Sequence, residues 1–321
     1  MMMGIFLFGG FLLAWAFGRN NFANVFGTAV GTGVLSLKRA AFLTIIFIFL
    51  GTFFNGSATS ETLSSLMHFT SLSEACFFSI IVAVMMMILT KGGIPASVAQ
   101  ISVGALIGWN LALKKVIFWN HVVDIALAWL YSPLIAFGIA FFIFKMARFY
   151  FNRYSLPILY RDIWVRFFWI GVGSFTAYSL GANNLPVLTT PYQQILLMNI
   201  SFLVPLFSVM VGVGCLMASH RVIRMVSQKL FPLSSVESLI VAFSGALTLL
   251  LFSFQNGPFP ALPISISAAL IGAIVGVSFA KGGQGLKGKA LFSIIASWFW
   301  SPLFSGLLCF GFISIMGMGR F

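Results

Sequence analysis

Apolar residues run through this chain in long blocks separated by short polar connections. The blocks lie near 2–17, 39–54, 74–90, 94–113, 120–145, 164–180, 192–218, 236–254, 262–280 and 290–316. Most reach the roughly 17 to 25 residues that a helix needs to cross a bilayer. The pattern predicts an all-α polytopic membrane protein of about 10 to 12 transmembrane or re-entrant helices. The first block starts at the initiator without a basic leader or a small-x-small cleavage site, so it is expected to stay as a helix.

Five blocks fall in each half, and the halves share sequence. The stretch DIALAWLYSPL at Asp124–Leu134 returns as SIIASWFWSPL at Ser293–Leu303. GALIG at Gly104–Gly108 returns as GAIVG at Gly272–Gly276, and GRNN at Gly18 returns as GANN at Gly181. Three blocks repeated in one order indicate an internal duplication, with an N-terminal repeat over 1–150 and a C-terminal repeat over 151–321. An odd number of crossings per half sends the second half in from the opposite side, giving two inverted repeats.

Composition agrees with this picture. The 321 residues are 60% hydrophobic and 7% charged, with a formal net charge of +13. In a soluble protein that charge would suggest nucleic acid; here the basic residues sit in connections, where they set orientation, and no nucleic-acid partner is expected. With Lys38 and Arg39 inside, the segments Lys145–Arg166, Arg221–Lys229 and Lys281–Lys289 also fall inside, leaving chiefly Lys114, Lys115 and Arg320 outside. The expectation is a multi-pass protein of a prokaryotic inner cell membrane with both termini outside, and the pattern leaves room for a homo-oligomer. Cys76, Cys215 and Cys309 lie in or beside apolar blocks without metal-type spacing and read as packing residues.

Two pairs of elements carry candidate chemistry. Each Gly-x-Asn-Asn element closes an apolar block, where Gly and Asn predict a broken helix, tolerated at membrane depth only where it is enclosed by protein or lines a wet cavity. GGIPASVAQ at Gly92–Gln100 and FPALPISISA at Phe259–Ala268 each place a proline where a helix can begin, followed by Ser97 in one and by Ser265 and Ser267 in the other. Helix N-termini offer free N–H groups and a positive dipole end to an anion.

These elements resemble the inorganic phosphate transporter (PiT) family. GRNNFANVFGTAVGTG at Gly18–Gly33 is similar to that family's signature GANDVANAFGTSVGSG, and GANNLPVL at Gly181–Leu188 to its second copy. PASVAQ at Pro95 and PISISA at Pro263 resemble its PVSTTH segments, and Trp129–Pro133 with Trp298–Pro302 its tryptophan-serine-proline helix. The resemblance implies alternating-access transport of phosphate, with sodium or proton coupling. It also exposes differences: Asn21 and Asn184 stand where the family has aspartate, Gln100 and Ala268 replace its histidines, and an aliphatic residue near Ile48 replaces a glutamate common in relatives.

The acidic residues Glu61, Glu74, Asp124, Asp162 and Glu237 all fall in connections or at helix starts, as do His68, His121 and His220 outside the deep blocks. No carboxylate relay crosses the membrane, so a coupling cation would rely on Asn and backbone oxygens, and no other cofactor is expected. The candidate anion pathway comprises Arg19, Asn20, Asn21, Asn24, Ser97, Asn183, Asn184, Ser265 and Ser267. Arg19 either lends positive charge to that site or snorkels to the interface; the asparagines either bind or cap, and the serines either bind or bond their own helix. Trp129 and Trp298 read as packing residues beside a proline kink. Asparagine can donate or accept, so it enforces neither phosphate nor sulfate. Clustered acid, base or metal ligands for an enzyme are missing from the sequence, whereas a passive anion channel remains a rival.

Overall fold

The computed structural model describes residues 2–67, 69–94, 96–153, 158–196, 200–218, 233–283, 286 and 288–316. Among them there are twelve helices and no strand. In chain order they are α1 (Met2–Val25), α2 (Gly27–Gly31), α3 (Leu37–Asn55), α4 (Ser57–Ser64), α5 (Leu72–Lys91), α6 (Val98–Ala112), α7 (Trp119–Arg153), α8 (Ile158–Leu196) and α9 (Ile200–Leu216). Three more follow: α10 (Ser235–Leu251), α11 (Ile266–Ala280) and α12 (Gly288–Met316). The spans Leu37–Asn55, Leu72–Lys91, Trp119–Tyr150 and Leu291–Met316 are long and apolar enough to cross a membrane. Helices α6 and α11 have 15 residues each. At ~1.5 Å per residue they fall short of a ~30 Å hydrocarbon core, so each reaches only part of the way through.

The two halves interleave. Helix α1 packs on α5 of its own half and on α9 of the other; α8 packs on α10 and, across the halves, on α3. The short helices cross over as well, α6 lying on α12 and α11 on α7. Glycines make these contacts close enough for backbone to meet backbone. A Cβ on Gly18 would collide with the Val211 carbonyl, and one on Gly181 with the Ile48 carbonyl; Gly104 and Gly272 abut Pro302 and Pro133 in the same way. Small residues at such crossings let bilayer helices gain packing contacts that lipid would otherwise supply. The carbonyls of the two signature glycines are bound alike, Thr52 Oγ1 donating to Gly181 O at 2.8 Å and Cys215 Sγ lying 3.6 Å from Gly18 O.

The Gly-x-Asn-Asn elements do not break their helices. Helix α1 runs on through Gly18 to Val25 and gives way to α2 only around Phe26, and α8 continues through Gly181 and both Pro186 and Pro191. Glycine here serves helix contact, and the neighbouring asparagines meet side chains and backbone of other elements, so neither residue needs unwound backbone. Pro186, with no N–H to donate, leaves the carbonyl of Ala182 without its usual helical partner. The apolar block 192–218 divides between the end of α8 and α9. The second pair of elements also differs from expectation: α6 starts at Val98 and α11 at Ile266, each capped by a serine, so proline does not occupy the first turn. Pro95 itself lies outside the described residues, as do His68, His220 and the basic segment Arg221–Lys229.

Candidate functional site

The two short helices begin in the same way. Ser97 Oγ accepts the Gln100 N–H at 3.4 Å, and Ser265 Oγ accepts the Ala268 N–H at 3.2 Å, each a side-chain cap on the third helical N–H. The extended residues just before each cap are held by one signature asparagine. Asn20 Oδ1 accepts the Ala96 N–H at 3.0 Å while its amide donates to Thr90 Oγ1 at 2.7 Å and Ile94 O at 3.5 Å. Asn183 does the same work in the other half, accepting the Ile264 N–H at 2.9 Å and donating to Leu262 O at 2.9 Å, Phe252 O at 3.0 Å and Ser253 Oγ at 3.2 Å. Both asparagines are fully buried. Extended backbone away from water must find partners, and these amides supply them at each helix start.

The other signature asparagines reach further. Asn24 Nδ2 donates to Asn21 Oδ1 at 3.1 Å and to Ser267 Oγ at 3.2 Å, so α1 of the first half touches the first turn of α11 in the second. Asn21 Nδ2 donates to Phe17 O, and Asn184 Nδ2 donates to Asn183 Oδ1, both at 3.1 Å. Asn21, Asn24, Asn184, Ser97, Ser265 and Ser267 are all buried. The start of α11 thereby gathers Asn183 at Ile264 and Asn24 at Ser267, one from each signature.

Arg19 is placed apart from this cluster. It is half-buried, its guanidinium carbon lies 5.3 Å over the Trp15 ring, and its backbone N is near Gly214 of α9. Trp15 in turn donates to Met217 Sδ at 3.4 Å. The positive charge is thus one residue from Asn20 along α1 but on the face turned to α9.

Several residues of this region were not among the candidate pathway residues read from the sequence. Thr90 and Ser253 partner the Asn20 and Asn183 amides, and their only signal was a hydroxyl near the end of α5 or α10. Gln100, in the first turn of α6, is buried, and its side-chain oxygen has no partner among the described residues. Trp129 is more than packing: its indole N–H donates to Pro263 O at 3.0 Å and so steadies the approach to α11. At the far ends, Glu74 lies 4.0 Å from Lys115 and Glu237 2.9 Å from Lys281, each glutamate also sitting in the first turn of its helix. These two carboxylates accordingly stay at helix starts.

A family model for phosphate transporters matches residues 17–260, from the first signature to the approach to α11. The chain belongs to the phosphate transporter family. Among its relatives, the protein named "Putative phosphate permease" of Methanocaldococcus jannaschii is 28% identical over 308 residues, covering 94% of this chain and 93% of its own. The sulfate permease CysP of Bacillus subtilis is 25% identical over 303 residues, covering 93% of this chain and 83% of its own. A solved sodium-dependent phosphate transporter superposes with a TM-score of 0.83 at 21% identity, covering 99% of this chain and 100% of that one, which shows the shared fold. Membership makes the chain a multi-pass cell-membrane transporter and not an enzyme. Its archaeal and bacterial relatives agree with a prokaryotic membrane.

Proposed function

We propose that this protein carries inorganic phosphate across the cell membrane by alternating access, binding the anion at the capped N-terminal turns of α11 and α6. The observation that carries the proposal is the meeting of both signatures at the start of α11, Asn183 on Ile264 and Asn24 on Ser267. The first N–H groups of a helix have no partner inside it, and the aligned peptide dipoles put positive potential there. An oxyanion fits such a turn without a fixed cation. Asn20 and Asn183 occupy themselves with the extended backbone, so their part is to aim the two turns, while Ser97, Ser265, Ser267, Asn21, Asn24 and Asn184 line the approach. Arg19 raises the local potential from the α9 side.

Alternating access follows from the duplication: two interleaved halves of 1–150 and 151–321, inverted relative to each other, can rock around a site held by elements of both. A coupling sodium would be held by amide and carbonyl oxygens, because asparagine stands at positions 21 and 184.

A sulfate permease is the second reading, favoured by those same two asparagines. Phosphate near neutral pH can give a proton to a carboxylate, whereas sulfate has none to give and is repelled by one. The test is uptake of labelled phosphate by the purified protein in proteoliposomes, under sodium, proton or no gradient, with sulfate as competitor at pH 6 and pH 8. Saturable, gradient-driven accumulation that sulfate fails to displace is expected. Displacement by sulfate at both pH values would overturn phosphate as the substrate, and single-channel currents without uphill uptake would overturn the carrier.

A further inference from the structure

Beside the signature of α1 lies a small hollow of about 20 Å³, lined among others by Asn24, Thr28, Trp169 and Ser238. Two polar atoms of its lining residues are buried without a partner among the described residues: Asn24 Oδ1 and Trp169 Nε1. Asn24 is 4% exposed and Trp169 2%. One is an acceptor and the other a donor, and a cavity of at least ~10 to 15 Å³ holds one water when polar groups surround it.

The orientation of the Asn24 amide follows from a chain of obligations. Phe17 O can only accept, so Asn21 turns its Nδ2 toward it and its Oδ1 toward Asn24. That oxygen can only accept as well, so Asn24 must present Nδ2 to Asn21 and to Ser267, leaving Oδ1 on the other side. Ser267 Oγ then accepts from Asn24, and its own hydroxyl hydrogen is released to donate. Fixing one amide thus turns the first turn of α11 into a set of donors.

We propose that a single water bridges Asn24 Oδ1 and Trp169 Nε1 in this hollow, and that Trp169 is through it a positioning residue that keeps the Ser267 hydroxyl pointed at an anion. The proposal rests on the phosphate-site reading for its functional half; the water itself does not depend on it. A buried oxygen left without a partner is costly, so losing the water loosens the amide whose other end holds the Ser267 hydroxyl. The second half is built differently. Val187 follows Gly181 at the spacing at which Asn24 follows Gly18, and Tyr192 bonds Ala75 O and Ser79 Oγ, the places that Ser238 and Ala242 take after Glu237. The arrangement therefore belongs to the Asn24 side alone.

The test has two readouts. A high-resolution experimental map of the wild-type protein is expected to show one ordered water within hydrogen-bond distance of both atoms. In proteoliposomes, Trp169→Phe, which deletes the N–H, is expected to raise the KM for phosphate about fivefold with turnover within about twofold of wild type. Ser238→Val, which fills the hollow from α10, is a second variant should the first not fold, and is expected to raise KM likewise. A map without the water, or an unchanged KM in the folded variants, overturns the proposal. Wild-type protein that neither binds nor carries phosphate overturns the phosphate reading instead, and the map still decides the water.

Discussion

Asn183 Oδ1 accepts the backbone N–H of Ile264 at 2.9 Å, tying the middle of α8 to the residue that precedes the cap of α11. Its two amide hydrogens are shared among three acceptors, so this one side chain bonds four groups in the approach to α11. Replacing it by Ala leaves at least Ile264 N–H, Leu262 O and Phe252 O without that partner in a site that water reaches poorly. Asn183→Ala is expected to destabilise the protein by about 3 kcal/mol or more, read as a clear fall in Tm in detergent, and to abolish phosphate uptake. Asn184→Ala, which removes a bond to Asn183 itself, is expected to lower Tm much less.

The signature glycines set the distance between crossing helices. Gly18→Ala and Gly181→Ala each drive a methyl group into a facing carbonyl, whereas Gly138 and Gly171 face open space within 4 Å of an added Cβ. The first two variants are expected to lose folded yield and thermal stability, and Gly138→Ala and Gly171→Ala to keep both. Size-exclusion profiles and Tm values in the same detergent check this contrast.

Ser97 and Ser265 each accept from the third N–H of a half-helix. Ala at either cap is expected to cost about 1 kcal/mol of stability and to weaken phosphate binding, with Thr restoring most of both. Thermal shift with and without phosphate separates the effects: a cap that serves stability alone lowers both melting curves equally, whereas one that also orders the anion site narrows the gap between them.

Arg19 stands over Trp15 on the α9 face and not within the asparagine cluster. Its influence on an anion is therefore expected to act through charge at a distance. Arg19→Lys should leave phosphate uptake near wild type, and Arg19→Gln should lower it several-fold by raising KM. Equal loss in both variants would assign the residue to packing against Trp15.

How far the sequence foretold this depends on what each residue does. The repeated GALIG and GAIVG blocks were legible because Gly104 and Gly272 make the same contact on Pro302 and Pro133, and an equal constraint leaves an equal sequence. The serine-rich starts of α6 and α11 were visible because N-caps need a hydroxyl or amide at a fixed place. The GRNN and GANN elements misled, since Gly and Asn break helices that water surrounds, while here a carbonyl presses on the glycine and neighbouring groups occupy the asparagines. Nothing local announced that α1 would lie on α9 or that Asn24 would find Ser267, because such pairings are set by assembly of the whole bundle. The short helix α4 escaped notice for the opposite reason, its eight residues being mostly small and polar.

The interleaving of the halves bears on how the protein is made. Chains emerge N-terminus first, so the ribosome delivers α1 and α3 into the bilayer well before α8 and α9 exist to receive Gly18 and Ile48. Until then those surfaces must be sheltered by lipid or by the insertion machinery, and the first five blocks amount to an unfinished seam that only the last ones close. Truncating the gene between the repeats would therefore yield two fragments that mature together or not at all.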